Sequence, residues 1–301
     1  MSTAPRLSFL FSLLAGFLLA AQPSVQGQEE ALQLRLRWLP GHVYMQETLT
    51  ETTTSLTEIG MPEDQKMKIK QITQIRVTGA EGGEKLARVT FQSLSGEVTI
   101  KGQKQIFDSA DLSMASPMIK ASVGQSVGKS FVLVYGPEDQ FVEVRDSGAM
   151  SPVDQGSPSL AGIAEAKDVA DLYRRSLEMG LPKMPVKTGD RWTSQETVKF
   201  PSAGTVNVEL RAKLESIVDY ASRRHAKISF EGEMKRADES AGTRKVTLGA
   251  GSKTFGQVLF DLERGTVSFG AFRADIKLEI GGKIVPVRQQ VTTRLASLVK
   301  E

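Results

Sequence analysis

The densest string of chemistry-bearing residues in the chain is Val123–Ser130, VGQSVGKS. Gly124-Gln125-Ser126-Val127-Gly128 fits the G-x-S-x-G pattern, which holds a serine nucleophile on a sharp turn between a strand and a helix, with an acid and then a histidine downstream. Asp190 and His225 stand in that order. The residues after Ser126 argue against it: Ser130-Phe131-Val132-Leu133-Val134-Tyr135 reads as a strand, and the chain lacks the alternating β-α pattern such an elbow needs. A serine hydrolase at Ser126 is therefore the remote reading. The same string approaches a phosphate-binding loop, but Val123 stands where the first glycine belongs and no helix follows, so that reading is rejected.

The other reactive residue types are scattered. His42 and His225 are the two histidines and cysteine is absent, which gives no ligand spacing for zinc, and no metal is expected. Glu138-Asp139 and Asp261 with Glu263 sit in or beside hairpin turns, where carboxylates usually serve turn geometry. No catalytic residue is assigned, no cofactor is expected, and the chain reads as non-enzymatic. The sharpest signature is Leu181–Thr197, LPKMPVKTGDRWTSQET, with a weaker echo at Leu39–Thr48, LPGHVYMQET. Gly189, Asp190 and Trp192 in the first match Gly41 and Tyr44 in the second. Gly-Asp is turn chemistry and Trp192 an anchor at a strand start, so Trp192 is expected to be substantially buried and Gly189-Asp190 to form a turn.

Compartment and class come from the ends and the composition. One positive charge precedes the apolar run Leu7–Ala20, which has signal-peptide length and is short for a membrane span. Cleavage is expected before Gln28, and the product is expected to be exported, periplasmic or extracellular. The formal net charge of +3 falls further once Arg6 is removed, and no basic patch interleaves with aromatics, so nucleic acid is not expected as a partner. Without cysteine the fold stands on its hydrophobic core. No segment of the mature chain is long enough to be expected to span a bilayer.

Period-two alternation dominates. Leu32, Leu34, Leu36 and Trp38 alternate with Gln33, Arg35 and Arg37, which predicts a strand with one buried face. Further strands are predicted over Val43–Leu56, Met67–Val77, Leu86–Ser93, Lys129–Tyr135, Gln140–Val144, Thr205–Asp219, Phe272–Ile280 and Ile284–Leu298, with Gly96–Phe107 a strand pair folding at Lys101–Gln103. Ser109–Val123 reads as one or two helical turns or a loose cover. Ser159–Met179 carries a helical apolar face and ends at Gly180. Ala226–Glu231, AKISFE, repeats Ala87–Gln92, ARVTFQ, and the hairpin over Val258–Phe269 echoes Val132–Val144.

The fold class read from these patterns is mainly β: duplicated antiparallel curved sheets, half-barrel-like, with one amphipathic linking helix. The expected segments are a signal peptide at 1–27, a first β-rich half at 28–149, linker and helix at 150–180, and a second half at 181–301. The leader, the strand-rich first half, the helix, L-P-x-x-P-V-x-x-G-D-x-W at Leu181–Trp192 and F-D-x-x-x-G-x-V at Phe260–Val267 resemble a bacterial exported family of unknown function. That resemblance attaches no catalytic residue. More distantly, the architecture is similar to the half-barrels of outer-membrane lipoprotein carriers, a likeness of fold and not of function. The expected partner is an apolar or amphiphilic small molecule in a cavity between the sheet and its covers, Ile163–Leu177 and Met114–Ile119. The alternative is a structural module with a fully packed core whose edge strands meet an envelope protein.

Overall fold

A computed structural model describes residues 30–61, 63–100, 102–124, 126–145, 166–200, 204–237 and 246–301. The leader, the linker over 150–158, the first turns of the helix predicted from Ser159, and Gln125 lie outside these residues. Residues 31–301 form one compact unit.

The period-two pattern becomes thirteen strands of a single sheet. The first half supplies β1 (His42–Thr54), β2 (Gln65–Gly79), β3 (Lys85–Ile100), β4 (Gln103–Asp108), helix α1 (Pro117–Gly124), β5 (Ser130–Tyr135) and β6 (Phe141–Arg145). Helix α2 (Ala166–Glu178) follows. The second half supplies β7 (Arg191–Phe200), β8 (Gly204–Tyr220), β9 (Arg223–Arg236), β10 (Val246–Leu248), β11 (Ser252–Asp261), β12 (Thr266–Ile280) and β13 (Lys283–Lys300). The spatial order is β6-β5-β3-β2-β1-β13-β12-β11-β9-β8-β7, with β4 beside β3 and β10 beside β12. Each half is a meander in the same direction, and β1 pairs antiparallel with β13 along its whole length. The two halves are thus parts of one sheet, with their junction at its centre.

The repeated hexapeptides occupy equivalent places. Ala87 and Val89 on β3, and Ala226, Ile228 and Phe230 on β9, all point into one core. Phe131 from β5 shares that core with Val258 from β11, strands far apart along the path, so the sheet is strongly curved with the core in its concavity. The sheet does not close: β6 and β7 are its edges among the described residues.

Two covers fill the concavity at one end. Helix α2 packs Val169, Ala170, Tyr173 and Leu177 onto the core. It also reaches both edges: the Arg174 guanidinium lies 4.6 Å from the centre of the Phe141 ring on β6, and Arg175 pairs with Glu196 on β7 at 2.8 Å. The second cover is the segment 31–39. Its alternation is as predicted, with Leu34, Leu36 and Trp38 buried and Arg35 and Arg37 exposed. It is not a strand, however, because a single bridge from Leu32 to Val186 is its one ladder contact. It crosses the end of the sheet as a strap. The Arg37 amide donates to the Gly265 carbonyl at 2.7 Å, its guanidinium to the carbonyls of Leu262 and Glu263, and the Trp38 amide to Asp139 Oδ1 at 2.8 Å. Alternation reports a buried face, and here a strap supplies that face without joining the ladder.

Farther along the strands, α1 lays Ile119 and Val123 on Leu94, Val98 and Phe107, forming a second, smaller core. Met114 and Met118, read as part of that cover, stay exposed.

Candidate functional site

The residues singled out in the sequence fall into four places. At the entry to β7 the Asp190 amide donates to the Lys187 carbonyl at 3.0 Å, and the Lys187 amide returns to Asp190 Oδ2 at 2.8 Å. Gly189 takes a φ of 91° there, open to glycine and strained for other residues. Trp192 follows, half-buried against the core, with its indole N–H enclosed and unpartnered. At the entry to β1, Gly41 likewise has a positive φ of 72°, and Tyr44 is fully buried, edge-on to Trp38 at 5.4 Å. Both motifs stand where a half enters the sheet, and Trp192 also lines an open pocket in which Lys213 and Ser229 are both bonded to Glu215.

Ser126 lies in the turn after α1 and donates to the Ser122 carbonyl at 3.0 Å; a strand follows it. His225 is engaged elsewhere. Its Nδ1 lies 2.9 Å from the Arg223 carbonyl, so Nδ1 carries the proton and Nε2 accepts from the Ser268 hydroxyl at 2.9 Å. Asp261 Oδ1 caps the β11–β12 hairpin by accepting the amides of Glu263 and Arg264 at 2.9 Å each. Its Oδ2 is 3.9 Å from the same Nε2. The carboxylate lies beyond hydrogen-bond reach of that nitrogen, and Nδ1 faces a backbone carbonyl, which is not a relay geometry. His42 contacts the Pro40 carbonyl at 3.1 Å. Among the described residues no three His, Cys, Asp or Glu side chains gather where a metal would sit.

A different feature emerges once register assigns each residue to a face. The covers end part-way along the central strands. On β1, Tyr44 and Gln46 are buried on the inner face, while Thr48, Thr50, Thr52 and Thr54 are only half-buried. Opposite them on β2 are Gln71, Ile69, Met67 and Gln65. On β13 they face Thr293, Val291, Gln289 and Val287. Beyond those, β12 adds Gly270, Phe272, Ala274 and Ile276. No inner position in this stretch is charged. The outer faces of the same strands carry Lys66, Lys68, Lys70, Glu47, Glu51, Arg273, Asp275, Lys277, Arg288 and Arg294.

The polar groups of this wall form a central seam. Thr48 and Thr293 hydroxyls are 3.1 Å apart, and Gln289 Nε2 donates to Thr52 Oγ1 at 3.5 Å. Apolar strips flank the seam: Ile69 and Met67 on one side, partly covered by the second core, and Val291, Ile276 and Phe272 on the other, Phe272 packing in part on the main core. The sequence concealed this wall because Thr48–Thr54 alternates threonine with Leu49, Glu51 and Thr53, a pattern that does not declare its inner side.

Charge returns at α2. Arg174 pairs with Asp171 at 3.1 Å and Glu178 at 2.9 Å, and Arg175 with Asp171 at 2.7 Å as well as with Glu196. Burial raises the Glu178 carboxyl above its ordinary range, with Arg174 opposing. Burial likewise pushes the Tyr173 and Tyr135 hydroxyls upward, so both stay protonated.

Fold and wall together define an open antiparallel half-barrel with an internal helix and an uncharged concave wall. No protein-family model matches the chain. It is similar to the genome polyproteins of classical swine fever virus strains Alfort/Tuebingen and Brescia, 27% identical over 208 residues and 64% of this chain in each case. The chain spans only 5% of the length of those polyproteins. Among solved structures, a Bacteroides fragilis protein described as exported with a YmcC-like fold overlaps at a TM-score of 0.30, with 10% identity over 89% of this chain and 100% of that one. A β-barrel-like protein of a domain of unknown function from Brucella abortus gives 0.24, with 10% identity over 89% and 99%. Pseudomonas aeruginosa OccK7 gives 0.25, with 6% identity over 86% and 98%.

Proposed function

We propose that the chain is an exported, non-enzymatic protein that binds an apolar or amphiphilic small molecule on its concave wall. The observation that carries this reading is the segregation of charge across the central strands: from Thr48 to Thr54, and at the positions facing them on β2, β13 and β12, every inner residue is neutral and all but Gly270 are half-buried. A face fully packed in the core needs no charge, and a face left to water usually has some. A neutral, half-covered concave face suits a ligand. Each methylene that a ligand removes from water there contributes about 0.8 kcal/mol. Export is read from the apolar leader Leu7–Ala20, and among the described residues no helix is long and apolar enough to cross a membrane.

The test is native mass spectrometry of protein expressed with its leader, followed by solvent extraction. A co-purifying amphiphile, or saturable binding of N-phenyl-1-naphthylamine, supports the reading. Protein that emerges empty and binds no probe refutes it. A second reading, a protein-interaction module, draws on the two sheet edges β6 and β7. A stable complex in size-exclusion runs with no bound small molecule would favour it.

A further inference from the structure

We infer that the ligand of this wall is an uncharged amphiphile of the acylated-polyol class, an ester or hydroxyl group with an acyl chain, in preference to a fatty carboxylate or an anionic phospholipid. This rests on the binding reading above and concerns which headgroup the wall accepts.

An ionised group drawn onto a half-buried wall needs a partner, because desolvation otherwise outweighs what it gains. The wall offers none along Thr48–Thr54, the inner face of β13 reaching a cation only at Lys283 in its opening turn, and most cations of the outer faces are paired. Lys68 and Lys70 point outward to Glu51 and Glu47 at 2.6 and 2.7 Å. Arg294 shares Glu47 at 3.0 Å, and Arg288 meets Asp275 at 3.3 Å. Inside the concavity, Arg174 and Arg175 are held by Asp171, Glu178 and Glu196. Lys120 on α1 donates to the Ser113 carbonyl.

What the wall does offer is neutral hydrogen bonding. A threonine hydroxyl has one proton and two acceptor sites. In the Thr48–Thr293 pair one proton is spent and the other is left for a ligand, together with acceptor sites on both oxygens. A seam that both donates and accepts suits ester carbonyls and hydroxyls, while the flanking strips of Ile69, Met67, Val291 and Phe272 suit an acyl chain.

The experiment is displacement of N-phenyl-1-naphthylamine from the full chain at pH 8 by 1-monooleoylglycerol and, separately, by oleate, which share one chain and differ in headgroup charge. Monooleoylglycerol is expected to displace the probe at about tenfold lower concentration. Val291→Lys, which places a cation on the inner wall, is expected to reverse the order, and Gln290→Lys on the outer face to leave it unchanged. Thr50→Lys repeats the inner substitution should Val291→Lys not fold. Oleate equal to or better than monooleoylglycerol on the unmodified protein overturns the inference, as does displacement by neither. Failure of the probe to bind at all instead overturns the binding reading beneath it.

Discussion

The hydroxyl of Tyr173 on α2 donates to Oε1 of Gln46 on β1 across 2.6 Å, and Gln46 is 6% exposed. This bond fixes the helix at the depth where the covered part of the concavity ends and the open wall begins, since Thr48 is the next inner residue on β1. Tyr173→Phe leaves a buried amide oxygen without its donor and should cost about 1–3 kcal/mol in urea unfolding. The double variant with Gln46→Leu removes both partners and should recover part of that loss. Additive losses would show that the bond is not what seats the helix.

Glu47 and Glu178 should give opposite pH signatures. Side-chain bonds from Lys70 and Arg294 hold the Glu47 carboxyl below its ordinary 4.5, so its contribution is present at neutral pH and is lost as pH falls through the depressed value. Glu178 is raised above 4.5 by burial, so its contribution is fully present in acid and is lost as pH rises through the raised value. Glu47→Gln should therefore lower Tm at pH 7 and converge with the parent in acid. Glu178→Gln should compare best with the parent at pH 7 and lose that advantage toward pH 4.

The β8–β9 hairpin turns through Ala221 and Ser222, with φ of 47° and 62°, whereas the β12–β13 hairpin uses Gly281 and Gly282 at 57° and 75°. Left-handed geometry costs a side chain roughly 1–2 kcal/mol per residue. Ala221→Asn with Ser222→Gly, the preferred pair for such a turn, should raise stability by about 1 kcal/mol. An unchanged or lower Tm would mean that the alanine-serine turn is held by something other than local geometry.

Arg37 ties the strap to the β11–β12 hairpin through three carbonyls, one of them by its own amide. Arg37→Ala removes the two guanidinium bonds and should cost about 1 kcal/mol. The readout is limited proteolysis, with cleavage within 31–39 accelerated before any cleavage in β1. Simultaneous cleavage at both would show that strap and sheet open as one unit.

Much of the fold was legible because period two reports a buried face directly. The hexapeptide repeat located β3 and β9, and the turns at 136–140 and 281–282 located two hairpins. The strap was misread as a strand for the same reason, since Leu34, Leu36 and Trp38 show a face and not a ladder. The candidate wall was not legible, because its neutrality belongs to four strands together and emerges only when register places Thr50 beside Ile69 and Val291. Ser268 was missed because it is the extra residue of a bulge, where Leu259 faces Phe269 and Phe260 faces Val267, and such slips carry no mark in the residue pattern.

The pairing of β1 with β13 has a kinetic cost. The Thr48–Thr293 contact closes 245 residues of chain, and loop-closure entropy must be overcome before such a pairing is rewarded. Each meander can assemble from local hairpins, so the seam between them should form late and slowly. Until it does, the 13 residues of β1 present an unpaired ladder edge, rich in threonine and open to pairing with another chain. The centre of the finished sheet is therefore the part of the folding chain most exposed to aggregation.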